Sequence, residues 1–145
     1  MASGTEGEAE VWKLVSSFRE AVADQVDVKE QQLTDRLRSI SFQPTNPDAA
    51  PIWLAISQWS VVVQIGKGTR FELGVEERDR HLLDDLLRAA AAGRVEETTR
   101  RLWLAFRVSL SDGTVRVGRV MGHGYGGKRA TRRYAPWLPS SAPSG

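Results

Sequence analysis

Val11, Leu14, Val15, Phe18, Val22 and Val26 recur at intervals of three and four residues. That spacing puts them on one face of a helix with 3.6 residues per turn. Thr5 and Glu8 stand ahead of them with the spacing of a capping box, in which the hydroxyl and the carboxylate satisfy two amides of the first turn. The apolar pattern resumes at Leu33 and Leu37 after the polar stretch Lys29-Glu30-Gln31-Gln32. It predicts a helix reaching residue 37, with a break or kink near Asp27-Val28, because an unbroken helix of that length is unusual in a small domain.

The period then changes from 3.6 to 2. Ile40 and Phe42 alternate as in a short strand, and Pro44, Pro47 and Pro51 mark an ordered loop, since proline removes amide donors and fixes φ. Ile52, Leu54 and Ile56 share one face of the next strand, and Trp53, Ala55, Ser57 and Trp59 share the other. Val61-Val62-Val63-Gln64-Ile65 runs into Gly66-Lys67-Gly68, read as a three-residue hairpin loop with Gly68 in the left-handed conformation. That loop sets Ile65 opposite Thr69, Val63 opposite Phe71 and Val61 opposite Leu73.

A second helix follows. Glu76 and Glu77 sit in its first turn, where the helix dipole favours anions. Leu82, Leu83, Leu86, Leu87 and Ala90 form a buried stripe, Asp84 and Arg88 pair at i,i+4, and Gly93 stops the helix. A last hairpin is expected to turn on Asp112-Gly113 as a two-residue loop. This pairs Leu110 with Val115, Val108 with Val117, Phe106 with Arg119 and Leu104 with Met121, and leaves Trp103, Arg107, Ser109 and Arg116 on the opposite face. Arg119 is then out of place on an apolar face.

The expected class is α+β, with a mostly antiparallel sheet of about four to five strands (two hairpins) packed against an N-terminal helix and a central helix. Residues 1–7 are expected to be a flexible N-terminus, 8–121 a single domain, and 122–145 a Gly-rich, basic and then Pro-rich tail. Within that tail Tyr134 and Trp137 are expected to pack back on the domain, because large aromatics bury a large area.

Composition narrows the function. The chain of 145 residues has no cysteine, which excludes disulfides and thiolate metal sites. Its first residues lack the basic and apolar segments of a signal peptide, and its apolar runs are too short to span a bilayer. A cytoplasmic location without membrane association is therefore expected. The net charge of +2 is uneven, since the last acidic residue is Asp112 and six basic residues follow it. Such asymmetry often marks a basic binding end.

Motifs for chemistry are sparse. Gly122-His123-Gly124-Tyr125-Gly126-Gly127-Lys128 resembles a phosphate-binding loop, but Arg129 stands where the magnesium-binding Ser or Thr belongs. Glu77, His81 and Asp85 form a helical stripe opposite the leucines, which reads as a solvated charged face rather than a metal site. Arg133 to Pro139 has the spacing of a polyproline ligand, though packing of its aromatics is the preferred reading. No catalytic residue, cofactor site or metal site is expected. The leading expectation is a non-enzymatic protein-binding module, of which an immunity-like inhibitor that neutralises a toxin or effector is one concrete form. Trp53, Trp59, Trp103, Arg107 and Arg116 are its candidate contacts, since Trp and Arg are enriched at interface hot spots. The alternative is nucleic-acid binding through Lys128, Arg129, Arg132, Arg133 and Tyr125. A small enzyme using His123 ranks last.

Overall fold

The computed structural model describes residues 4–122 and 129–138. Among the described residues two α-helices and nine strands follow in the order α1 (Gly4–Ala21), β1 (Val26–Thr34), β2 (Leu37–Pro44), β3 (Ile52–Ile56), β4 (Val61–Ile65), β5 (Thr69–Leu73), α2 (Glu77–Ala91), β6 (Val95–Thr99), β7 (Trp103–Ser109), β8 (Val115–Met121) and β9 (Ala130–Arg133). The α+β class and the antiparallel pairing are as expected, and the strands divide into two sheets. One is the meander β1-β2-β3-β4-β5, and the other has the order β8-β7-β6-β9.

Helix α1 buries Val11, Val15 and Phe18, and Val22 just past its end is buried with them, along the stripe the sequence spacing defines. It begins at Gly4, within the stretch expected to be flexible. Gly7 lies so close to Val75 that an added Cβ would come within 2.5 Å of a valine methyl. The helix does not resume after its end. A 3-10 turn at Ala23–Gln25 leads into β1, whose residues pair with β2 from Val26↔Pro44 to Gln32↔Arg38. The helix expected to reach residue 37 is thus a strand hairpin, and Leu33 is exposed rather than part of a buried stripe. Lys29 to Gln32 favour helix locally, but pairing with Ile40 and Phe42 across the hairpin overrides that preference.

The five-stranded sheet has a one-sided core. Ile40, Phe42, Ile52, Leu54, Ile56, Val61, Val63 and Ile65 are buried on its inner face. The pairs Ile65↔Thr69, Val63↔Phe71 and Val61↔Leu73 form as expected. Gly66 takes the positive φ of this turn, at +66°, in place of Gly68. Helix α2 buries Leu83, Leu86, Leu87 and Ala90 and ends at Gly93, whose φ is +76°.

The last hairpin differs from expectation by one residue. Its pairs are Ser109↔Val115, Val108↔Arg116, Phe106↔Gly118 and Leu104↔Val120. The cause is the turn. The Leu110 amide donates to the Thr114 carbonyl at 2.8 Å and the Gly113 amide to the Leu110 carbonyl at 3.1 Å, so Ser111-Asp112-Gly113 is a three-residue loop with Gly113 at φ +90°. Asp112 Oδ1 accepts the Thr114 amide and hydroxyl, which fixes this closure. A slip of one residue moves every side chain of β8 to the other face. Arg119 therefore pairs with Ala105 on the outer face, and the small Gly118 sits under the Phe106 ring instead.

Residues beyond 121 add to the domain. β9 pairs with β6 from Glu96↔Arg133 to Thr99↔Ala130. Trp137 is fully buried, its indole N–H donating to the Ala50 carbonyl at 2.9 Å, and its ring meets Phe18 edge-on at 5.5 Å. The Ala135 and Trp137 amides donate to the Asp48 and Ala91 carbonyls. This segment straps the two halves together, which accounts for the burial of Tyr134 and Trp137.

Candidate functional site

The outer face of the four-stranded sheet follows from its register. Residues directly opposite one another share a face. Arg133, Glu96, Arg107 and Val117 therefore form one row; Thr131, Thr98, Ala105 and Arg119 form the next; Trp103 stands beside Met121. Among the described residues no helix covers this face in the way α1 and α2 cover the inner core. Val117 is 72% exposed and Met121 75%. Long aliphatic side chains of that exposure are normal singly and informative when gathered on one face.

Its charges are mostly unanswered. Arg133 Nε holds Glu96 at 2.8 Å. Arg107 and Arg119 are exposed, and among the described residues neither has a carboxylate within 4 Å. The guanidinium groups of Arg100 and Arg119 lie over the Trp103 ring, 4.8 and 5.1 Å from its centroid.

The sequence-derived candidates do not converge. Trp103 and Arg107 share the outer face just described. Arg116 pairs with Val108 and falls on the opposite face, and Arg119 takes the place expected for it. Trp53 is 36% exposed on the five-stranded sheet, between Ser41 and Gln64. Trp59 is 64% exposed in the turn before β4, where the Ser57 hydroxyl accepts the Trp59 and Ser60 amides. Of the basic-end candidates, Arg129, Arg132 and Arg133 are exposed, with Arg132 over the buried Tyr134 ring at 4.8 Å. Lys128, Tyr125 and His123 lie outside the described residues, as does the glycine-rich loop from residue 123 to 128.

Sequence reasoning overlooked Glu97. This carboxylate is 2% exposed on the inner face of β6. It accepts the amides of Lys67, Gly68 and Thr69 at 3.0, 2.8 and 2.8 Å and the Thr69 hydroxyl at 2.8 Å. The Tyr134 hydroxyl donates to it as well. The turn between β4 and β5 is thus a nest of N–H groups around an anion from the other sheet. Burial, then the hydrogen bond to Glu97, push the Tyr134 hydroxyl well above the usual tyrosine range. The signal available in the sequence was a carboxylate in register with Val95 on an otherwise inward face.

Every polar atom of this cluster is satisfied, and among the described residues no buried side-chain polar atom lacks a partner. The cluster is closed to solvent and reads as a structural latch. Elsewhere, a groove of about 580 Å³ runs between α1 and α2, lined by Leu14, Phe18, Ala21, Val22, Arg88 and Leu138. Its charged pair, Asp84 and Arg88, is closed on itself at 3.0 Å, leaving no acid–base constellation there. Glu77 and His81 are 3.8 Å apart on the solvent side of α2, and among the described residues no group of three potential ligands could hold a metal. Among them, too, no helix is long and apolar enough to cross a membrane. Neither the protein-family models nor the curated proteins compared with this chain match it.

Proposed function

We infer that the chain is a non-enzymatic protein-binding module that docks its partner on the outer face of the four-stranded sheet. The observation that carries this reading is the grouping of exposed Val117 and Met121 with Trp103, Arg107 and Arg119 on one face that no helix covers among the described residues. Interfaces combine an apolar centre with Trp and Arg anchors and a polar rim, and this face has that make-up. The five-stranded sheet supports docking less well: beside Trp53 its outer face carries Ser41 and Gln64, and its Arg70 is paired with Glu72 at 3.3 Å. An immunity-like inhibitor of a toxin or effector remains one concrete form of such a module.

Nucleic-acid binding is the second reading, favoured by the exposed arginines of the last strands. It is weakened by the state of the aromatics. Tyr134 is buried, and the Trp103 ring already carries two guanidinium groups, so neither offers a free platform for a base. Affinity capture from the cells that make the protein separates the two readings. The wild-type chain is compared with Val117→Glu, with and without nuclease. The expected result is one stoichiometric protein partner that resists nuclease and is lost with Val117→Glu at an unchanged Tm. Recovery that disappears with nuclease would overturn the reading in favour of the second.

A further inference from the structure

We propose that the partner adds an extended acidic strand to the free edge of β8, so that its backbone pairs with Val117, Arg119 and Met121. This rests on the protein-binding reading above and specifies how that face is engaged.

The hydrogen-bond phase of the last hairpin determines which groups β8 offers. At the turn the Leu110 amide donates to Thr114, and at the far end the Gly122 amide donates to Leu102 at 3.1 Å. The pairs Val108↔Arg116, Phe106↔Gly118 and Leu104↔Val120 lie in step with both. Closely bonded pairs alternate along an antiparallel ladder. Arg116, Gly118 and Val120 therefore direct their N–H and C=O groups to β7, while Val115, Val117, Arg119 and Met121 direct theirs outward. β8 is the terminal strand of its sheet, so these groups face no further strand among the described residues. The residues with outward backbone groups are also those whose side chains form the exposed apolar and basic face. One extended segment would thus meet a row of backbone partners and a row of side chains together, as in β-strand addition.

The other edges are better guarded. β9 is only four residues long and Arg133 is tied to Glu96. On β1, Glu30 is held by Arg19 and Arg38 at 3.1 and 3.0 Å. On β5, Arg70 and Glu72 pair with each other. β8 runs seven residues with neither proline nor lysine, the residues that usually blunt an edge. Charge selects the occupant. Among the described residues Arg107 and Arg119 have no carboxylate within 4 Å, which favours an incoming strand that alternates acidic and apolar residues. A second copy of β8 would bring the same arginines against them.

The test uses the full chain and a synthetic octapeptide of alternating Val and Glu, with site-resolved amide exchange and an affinity titration. The peptide is also made N-methylated at its valines, N-methylated at its glutamates, and with Lys in place of Glu. The proposal expects slowed exchange at Val117, Arg119 and Met121. It expects one methylated form, and only one, to bind at least about tenfold more weakly, because alternate amides of an added strand face the edge. The Lys peptide should not bind, and Val117→Pro should abolish binding while leaving the β7 ladder intact. Binding that ignores both methylation patterns yet is lost with Val117→Glu overturns strand addition and leaves the docking face standing. Failure of the Val-Glu peptide to bind overturns strand addition as well, and the capture experiment then decides the reading beneath it. A dimer whose β8 amides are protected without peptide replaces the acidic partner with a second copy. An oligothymidylate that slows the same amides when the peptide does not would overturn both levels.

Discussion

The two sheets are covered on one face by the same core and treat their other face differently. On the outer face of the five-stranded sheet Arg70 holds Glu72, and Trp53 stands between the neutral Ser41 and Gln64. On the outer face of the four-stranded sheet Arg107 and Arg119 have no carboxylate within 4 Å among the described residues, and they stand beside exposed Val117 and Met121. The first surface sets its tryptophan among neutral polar side chains, with one ion pair beside them. The second surface gains little for folding from its exposed groups, since lone surface charges contribute little to stability. The difference separates residues that hold the fold from residues available to a partner.

The largest effect is expected at the strap. Trp137→Ala removes a fully buried indole from Phe18 and Phe42 and should cost about 3–5 kcal/mol. Denaturant unfolding measures it, and a cost under about 1 kcal/mol would mean that the strap does not join the two halves. Next is Glu97→Gln. It keeps the shape of the side chain but loses the charge that gathers three amides and two hydroxyls. Hydrogen bonds to a charged group are worth about 1.5–3 kcal/mol, so a loss on that scale is expected. A neutral result would show that the nest serves a neutral side chain equally well.

The same cluster gives a pH dependence whose sign is fixed. The Tyr134 proton is held more tightly in the folded state than in the unfolded chain. Its contribution is fully present below the ordinary tyrosine range, near pH 10, and is lost as pH rises beyond it, because only the unfolded chain releases the proton readily. Tm measured from pH 8 to pH 11 should fall less steeply in Tyr134→Phe than in the wild type. Equal slopes would remove Tyr134 from the account. Single replacements of Arg107, Arg116 or Arg119 by Ala should move stability least, within about 0.5 kcal/mol.

How much the sequence disclosed varied with how local each determinant was. The α1 and α2 stripes, the β4–β5 register and the helix stop at Gly93 depend on neighbours a few residues away, and all were legible. β1 was not, because its polar residues are held in a strand by pairing with β2 and by Glu30 reaching Arg19. The β7–β8 register was missed by one residue because Asp112-Gly113 fits both a two-residue loop and the three-residue loop that forms. That single step decided the candidate site. It moved Arg116 off the face, brought Arg119 onto it, and exposed Val117 and Met121, which had read as core. Glu97 was hidden for another reason: its partners are a turn about thirty residues earlier and a tyrosine 37 residues later.

The comparison between the two surfaces is tested most directly by matched substitutions, one on each. Partner capture is quantified for Val117→Glu on the four-stranded sheet and for Trp53→Glu on the five-stranded sheet, with Tm recorded for both. The account predicts that Val117→Glu abolishes capture at an unchanged Tm and that Trp53→Glu leaves capture intact. Loss of capture with Trp53→Glu, and its survival with Val117→Glu, would contradict it.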